Sequence, residues 1–355
     1  MAAALHSAGL AQLLDAAASP AARPSAAQLL PGTSAAEGIP RLERLLLAAA
    51  LQAPRDLGPA AAELVRAGGK RVRPLLTLLS ARAAAPGRRS RGRVALALVT
   101  ELVHSATLLH DDVIDDGLTR RGLPAPRIAF GNGVSVLAGD WLLTSSLDLA
   151  LRSRVPHAVE TLVRTLRELV EGEARQLALR GSTAFTAEEA LRIAELKTGA
   201  LFAFCGEAGA LAAHASPAVR AGLREFGLRA GVAFQIADDL LDFEADAATL
   251  GKAVLADVAE GKPSLPLAIA LKRLPPLRAE MAALLALDPA TPEDDVRSRT
   301  RAFAGRLSRT GALGAARRIA EGQRDEALRA LEILPESGTR DLLAQVAQSL
   351  LSRLS

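Results

Sequence analysis

Apolar side chains return every three or four residues along most of this chain, the spacing that gathers them on one face of an α-helix. From Arg93 to His110 (RVALALVTELVHSATLLH) they occupy positions 94, 98, 102, 106 and 109, with few polar interruptions. That predicts a helix buried on most sides. Leu191–Ala213, Val219–Phe243 and Thr339–Leu354 carry the same signature, and period-two alternation is sustained nowhere. Proline and glycine cluster between segments, at Pro86-Gly87, Gly122 to Pro126 and Pro275-Pro276, and Thr186 with Glu189 forms a capping-box pattern. No fixed-period repeat is present. The pattern predicts one all-α domain over 37–355, helical from Pro40 onward. Residues 1–36, rich in Ala, Ser and Pro, read as a poorly ordered extension.

Composition narrows the picture. Half of the 355 residues are apolar and 23% are charged, a globular balance. The single cysteine, Cys205, excludes a disulfide framework and fits a reducing compartment. No Lys or Arg precedes Arg23, so the N-terminus lacks the pattern of a secretory signal. The apolar run Leu45–Leu51 is far short of the roughly 20 residues needed to span a bilayer, and no other run is read as long enough. These features predict a cytoplasmic protein. A net charge of +4 is a small excess over this length, and eight Phe with no Tyr offer little stacking surface. Nucleic acid is therefore not an expected partner. Arg88, Arg89, Arg91 and Arg93 read as a solvated loop.

The chemistry concentrates in acidic and basic clusters. His110-Asp111-Asp112-Val113-Ile114-Asp115-Asp116 stands where the most apolar helix ends. Asp111 and Asp115 share a face, as do Asp112 and Asp116. Four carboxylates in six residues repel one another, and the macrodipole at a helix C-terminus disfavours them further. A cation must compensate. Gln235-Ile236-Ala237-Asp238-Asp239-Leu240-Leu241-Asp242 repeats the acidic spacing at the end of a second apolar helix. One such cluster reads as readily as a solvated helix end; two of identical spacing point to ligands. Oxygen donors without His or Cys companions suit Mg²⁺.

Basic elements accompany the acidic ones. Gly68-Gly69-Lys70-Arg71-Val72-Arg73-Pro74 places three cations behind two glycines, with Pro74 suited to the first turn of a helix. Lys70 and Arg73 then lie near a positive helix N-terminus, a phosphate-binding arrangement, although a GGK turn is often only a surface turn. Arg120-Arg121-Gly122 follows the first Asp cluster. Lys197-Thr198 sits inside an apolar helix, where an unpaired ammonium is costly. Gly251-Lys252 and Gly261-Lys262 follow the second cluster. Together these describe a magnesium-diphosphate site for an apolar substrate.

The blocks GGKRVRP, HDDVIDD, RRGLP, FGNGVSVLAGD, KTGALF, FQIADDLLDF and GK…D…GKPSLP, in this order, resemble the trans-isoprenyl diphosphate synthases, or polyprenyl synthetases. The resemblance runs from about Leu42 to the C-terminus. It implies an isoprenoid synthase-type bundle of long helices around a central active-site cavity, usually as a homodimer. The implied reaction is head-to-tail condensation of isopentenyl diphosphate onto an allylic prenyl diphosphate. By the same resemblance Asp111 and Asp115 hold two Mg²⁺ with Asp112 in support. Asp238 holds a third with help from Asp239 and Asp242, and Mn²⁺ is an acceptable substitute. Arg120, Lys197, Lys252 and Lys262 would grip the allylic diphosphate, and Lys70, Arg73, His104 and Arg121 the isopentenyl diphosphate. Thr198, next to Lys197, and Gln235 would stabilise the allylic cation with oxygen dipoles. His104 on its own reads as a core histidine; the motif match places it in the cavity, two turns before Asp111. The departing diphosphate takes the proton, in keeping with the absence of any Ser/His/Asp or Cys/His constellation.

Product length is implied by the helix before the first Asp motif. In the family an aromatic residue at the position of Ala106 plugs the cavity; Ala leaves it open, with Val103 and Val99 one and two turns deeper. A long product results, heptaprenyl to decaprenyl, of the kind used for quinone side chains, with membrane contact at most peripheral. A medium-chain farnesyl- or geranylgeranyl-forming enzyme is the alternative. A class I terpene cyclase would lack the second diphosphate pocket of Lys70, Arg73 and Arg121, and a non-catalytic subunit would usually lose one Asp motif. The chain departs from the family pattern at Ala125-Pro126, at Leu255 and at Ser264.

Overall fold

The computed structural model describes residues 34–87, 92–120, 122–244, 256–288 and 290–351. Helix α1 (Ser34–Leu51) starts ahead of Pro40 and contains it, earlier than the apolar pattern suggested. The rest of the expected extension lies outside the described residues, as do Arg88, Arg89 and Arg91 of the expected basic loop. Packing divides the chain into two compact units, one running through Leu78 and resuming at Val94–Arg154, the other holding Leu79–Arg93 and Val155 onward.

The first unit contains α1, α2 (Gly58–Arg66), the start of α3 (Val72–Ala84) and nearly all of α4 (Arg93–Ile114). A short hairpin follows, β1 (Thr119–Arg120) with β2 (Leu123–Pro124), then α5 (Pro126–Phe130) and α6 (Asn132–Arg152). The hairpin is antiparallel, with Thr119 opposite Pro124 and Arg120 opposite Leu123. Leu42 and Leu46 of α1, Leu64 of α2, Leu98, Leu102, Ala106 and Leu109 of α4, and Ala138 and Leu142 of α6 form one apolar core. The predicted 3.6-residue stripe of α4 is thus the face it buries. Contrary to the sequence reading, α6 is long and apolar enough to cross a membrane by length and composition, and only 33% of its apolar window is buried. Val136, Leu137 and Leu151 are exposed on it.

The second unit begins with α7 (Ala158–Leu179) and α8 (Ala187–Ala194), which opens on the predicted capping box of Thr186 and Glu189. A π-helical turn, Glu195–Gly199, leads into α9 (Ala200–Ala212), and α10 (Pro217–Glu244) packs along it. Every residue of α9 is buried. The two backbones meet through glycine: a Cβ at Gly206 would lie 2.0 Å from the Leu223 carbonyl oxygen, and one at Gly227 2.1 Å from that of Phe202. Beyond them come α11 (Ala256–Ala259), α12 (Leu265–Arg273), α13 (Leu277–Leu285), α14 (Glu293–Arg309), α15 (Ala312–Ala330) and α16 (Gly338–Leu351). Their apolar faces, with Ile236 and Leu240 of α10, form a second core around Leu267, Leu271, Met281, Leu307 and Ala316.

Candidate active site

In the first unit the acidic motif is part of α4, which continues through it to Ile114. Two arginines divide its charge. Asp112 is 1% exposed. Arg120, presented by β1, donates to Asp112 Oδ1 from Nε at 2.9 Å and also from Nη2. Arg127 of α5 donates to Asp116 Oδ1 at 3.0 Å and through Nε to Asn132 Oδ1 at 3.1 Å. Asp112 and Asp116 are thereby engaged by guanidinium groups, while Asp111 and Asp115 occupy the other i, i+4 face. Asp112 Oδ2 is buried without a hydrogen-bond partner, so this site retains an acceptor oxygen in a dry setting. His110 is seated against α6, its Nε2 3.1 Å from the Val136 carbonyl and 3.3 Å from Asp140 Oδ1. Gly139 gives that ring room in this position, since a Cβ there would lie 2.3 Å from Nε2 and the ring would have to shift.

The basic turn is tied down by a residue the sequence reading did not assign. Arg71 is 4% exposed and has a positive φ of 51°. Its Nη1 donates to Glu101 Oε1 at 2.6 Å, its Nη2 to the Val65 carbonyl at 2.8 Å and its Nε to Glu43 Oε1 at 3.4 Å. Lys70 and Arg73 flank it, both half-buried, as is His104 on α4. Val99, Val103 and Ala106 are buried to within 1% of full enclosure, Ala106 within the first unit's core. Arg121 lies outside the described residues.

The second unit carries the other half of the assigned residues. Lys197 pairs with Glu173 of α7, Nζ to Oε2 2.5 Å, which resolves the cost of placing an ammonium in an apolar helix. Thr198 Oγ1 donates to Gln235 Oε1 at 2.6 Å, and Gln235 Nε2 donates to Asp239 Oδ1 at 2.8 Å. Consecutive residues 197 and 198, both within the π turn, bond to different helices, α7 and α10. π turns of this kind are frequent at functional sites.

A fourth carboxylate, Asp257 of α11, joins the second acidic motif, its backbone N–H donating to Asp242 Oδ2 at 3.0 Å. Burial pushes the Asp239 carboxyl up to about 7, with the Asp238 and Asp242 charges adding to the effect and the Gln235 hydrogen bond opposing it. Burial also raises Asp257 well above the usual carboxylate range, the Asp239 and Asp242 charges adding and Lys262 opposing. Carboxylates held so unfavourably are stabilised by a cation. Lys262 is paired with Glu260 at 2.6 Å. Lys252, and the Leu255 departure beside it, lie outside the described residues.

Among the described residues no three His, Cys, Asp or Glu side chains converge as a self-sufficient metal cage. The donor set nonetheless fits a hard divalent ion, since Mg²⁺ usually takes one or two carboxylates and completes its shell with water and substrate phosphates.

Residues 55–301 match the sequence profile of the polyprenyl synthetase family. The chain belongs to that family. This polyprenyl synthetase is 34% identical over 290 residues to the octaprenyl diphosphate synthase of Escherichia coli, covering 82% of this chain and 88% of the other. It is 32% identical over 305 residues to the geranylgeranyl diphosphate synthase of Methanosarcina mazei, covering 84% and 90%. Among solved structures, a polyprenyl synthase from Caulobacter crescentus complexed with calcium and isoprenyl diphosphate superposes with a TM-score of 0.83 at 33% identity, covering 95% of this chain and all of that one. The all-α isoprenoid synthase fold expected from the sequence is the fold observed.

Two residues of the site left signals that could have been followed. Glu101 is a lone acid inside the most apolar stretch, and Glu173 lies on the polar side of α7. What sequence alone lacked was the partner of each.

Proposed function

We propose that this polyprenyl synthetase joins isopentenyl diphosphate head to tail onto an allylic prenyl diphosphate and extends it to a long all-trans product, heptaprenyl to decaprenyl. The observation that carries the reading is the repeated acidic motif, one copy in each unit, each with arginine or lysine alongside. Divalent cations, Mg²⁺ with Mn²⁺ as substitute and three in all, would supply neutralisation of the leaving diphosphate. Asp111 and Asp115 would hold two of them and Asp238 the third, with Asp239 and Asp242 assisting. The calcium in the Caulobacter relative supports a divalent ion of this kind.

The remaining work falls to the protein. Lys197, oriented by Glu173, lends positive charge to the allylic diphosphate, as do Arg120, fixed by Asp112, and Lys252 and Lys262. Thr198 and Gln235, locked to each other, present oxygen dipoles to the allylic cation. Lys70, Arg73, His104 and Arg121 hold isopentenyl diphosphate, and the departing diphosphate removes the proton. Buried apolar helices exclude the water that would otherwise quench the cation.

The test is incubation of the purified protein with Mg²⁺, isotopically labelled isopentenyl diphosphate and a farnesyl or geranylgeranyl primer, followed by product sizing. Products of seven or more isoprene units are expected. No incorporation overturns the reading, and arrest at geranylgeranyl overturns only the long-chain part in favour of the medium-chain alternative. Ala106→Phe is the companion experiment. The larger side chain enters a fully buried position, and the expected result is a shift to shorter products, at a stability cost of about 1–3 kcal/mol for overpacking. An unchanged product distribution would remove Ala106 from the control of chain length.

The reading includes a homodimer in the cytoplasm, touching membrane at most peripherally. The exposed apolar residues of α6, Val136, Leu137 and Leu151, support a second copy as the covering partner. Sedimentation should give twice the chain mass; a single-chain mass at micromolar concentration rules this out.

A further inference from the structure

We propose that Arg71 and Glu101 form a positioning device that sets the isopentenyl diphosphate pocket. This rests on the prenyltransferase reading above. Arg71 lies within the basic turn itself, yet it is withdrawn from any substrate: it is 4% exposed and spends Nη1, Nη2 and Nε on Glu101, the Val65 carbonyl and Glu43. An arginine held in the left-handed region, φ 51°, is an uncommon backbone state for a residue with a Cβ. Such states persist when surrounding contacts over-determine them.

The contacts join three elements. Glu43 belongs to α1, Val65 to the last turn of α2, and Glu101 to α4. Lys70 is the residue before Arg71 and Arg73 follows two later, so the guanidinium anchor fixes the backbone from which both project. Glu101 is equally well placed on its own helix. It precedes His104 by one turn, on the same face of α4. A single 2.6 Å pair therefore locks the turn bearing Lys70 and Arg73 to the helix segment bearing His104. The planar fork of arginine meets this need; a lysine would keep the charge but not the geometry.

The test is steady-state kinetics on the full chain with Arg71→Lys and Glu101→Gln. Each is expected to raise KM for isopentenyl diphosphate about tenfold to a hundredfold, the scale expected for a misplacement of about 1 Å, while KM for the allylic diphosphate moves less than about twofold. A double-mutant cycle then separates positioning from general stability. In a Lys70→Ala/Arg73→Ala background, Arg71→Lys should add almost nothing, because the groups it positions are gone. Equal changes in both KM values, full additivity in the cycle, or loss of folding in both Arg71→Lys and Glu101→Gln would each overturn the proposal. A wild-type chain that incorporates no isopentenyl units would instead sink the underlying reading.

Discussion

Asp115→Ala is expected to lower kcat/KM by about 10³-fold or more, with little change in stability. Neutralising the leaving diphosphate is worth several kcal/mol of transition-state stabilisation, and each 1.36 kcal/mol is a factor of about ten. Asp115 is half-buried in a cluster whose Asp112 and Asp116 are engaged by Arg120 and Arg127. Its removal relieves like-charge repulsion at a helix C-terminus, so the melting temperature should hold or rise slightly. Asp112→Asn should instead lower stability as well as activity, because Asp112 also fixes Arg120. That side chain is buried and ion-paired with Arg120, which is itself partly exposed, so losing the pair should cost about 1–3 kcal/mol. Paired kinetic and thermal measurements on the two variants decide the assignment. Near-wild-type turnover in Asp115→Ala would remove it from the ion-binding set.

Gly227→Ala should be among the most damaging one-methyl changes in the second unit. A Cβ there would lie 2.1 Å from the Phe202 carbonyl oxygen and 2.7 Å from its carbon, so α9 and α10 would have to part. Alanine gains about 1 kcal/mol in helix propensity, which overpacking against backbone, at about 1–3 kcal/mol or more, outweighs. The same α10 carries Gln235 and Asp239 at its far end, so the displacement should also loosen the Thr198–Gln235–Asp239 chain. A fall of about 10²-fold in kcat/KM is expected alongside the lower melting temperature. Gly322→Ala on α15 is the control, since a Cβ there meets nothing within 4 Å. It should leave activity unchanged and stabilise by roughly 0.4–1 kcal/mol. Equal stability of Gly227→Ala and the wild-type chain would show that the two helices can part without penalty.

How far the sequence could be read depended on the kind of information required. Helical periodicity located α4, α10 and α16 to within a few residues, because their buried faces are the apolar stripes themselves. The acidic motifs were legible because carboxylates at i and i+4 at the end of an apolar helix conflict with local electrostatics. The engagement of Asp112 by Arg120 and of Asp116 by Arg127 was not. It depends on where the β1 turn and α5 deliver Arg120 and Arg127. Arg71 was one of three cations in the basic turn with no role assigned, and only its partners Glu43 and Glu101, 28 and 30 residues away, mark it as interior. The exposed apolar face of α6 was equally hidden, since hydropathy records how greasy a helix is but not what covers it.

The π turn at Glu195–Gly199 makes 187–212 two helical registers joined by a wider loop of backbone, not one continuous wheel. Past Gly199 every side chain is rotated by about one residue's worth of arc relative to an uninterrupted helix. A wheel drawn straight through from Ala187 would therefore assign the lining of α9 to the wrong side. For anyone transplanting or redesigning this helix, the unit to preserve is the five-residue step itself, because deleting one residue from it would turn the whole of α9 against α10.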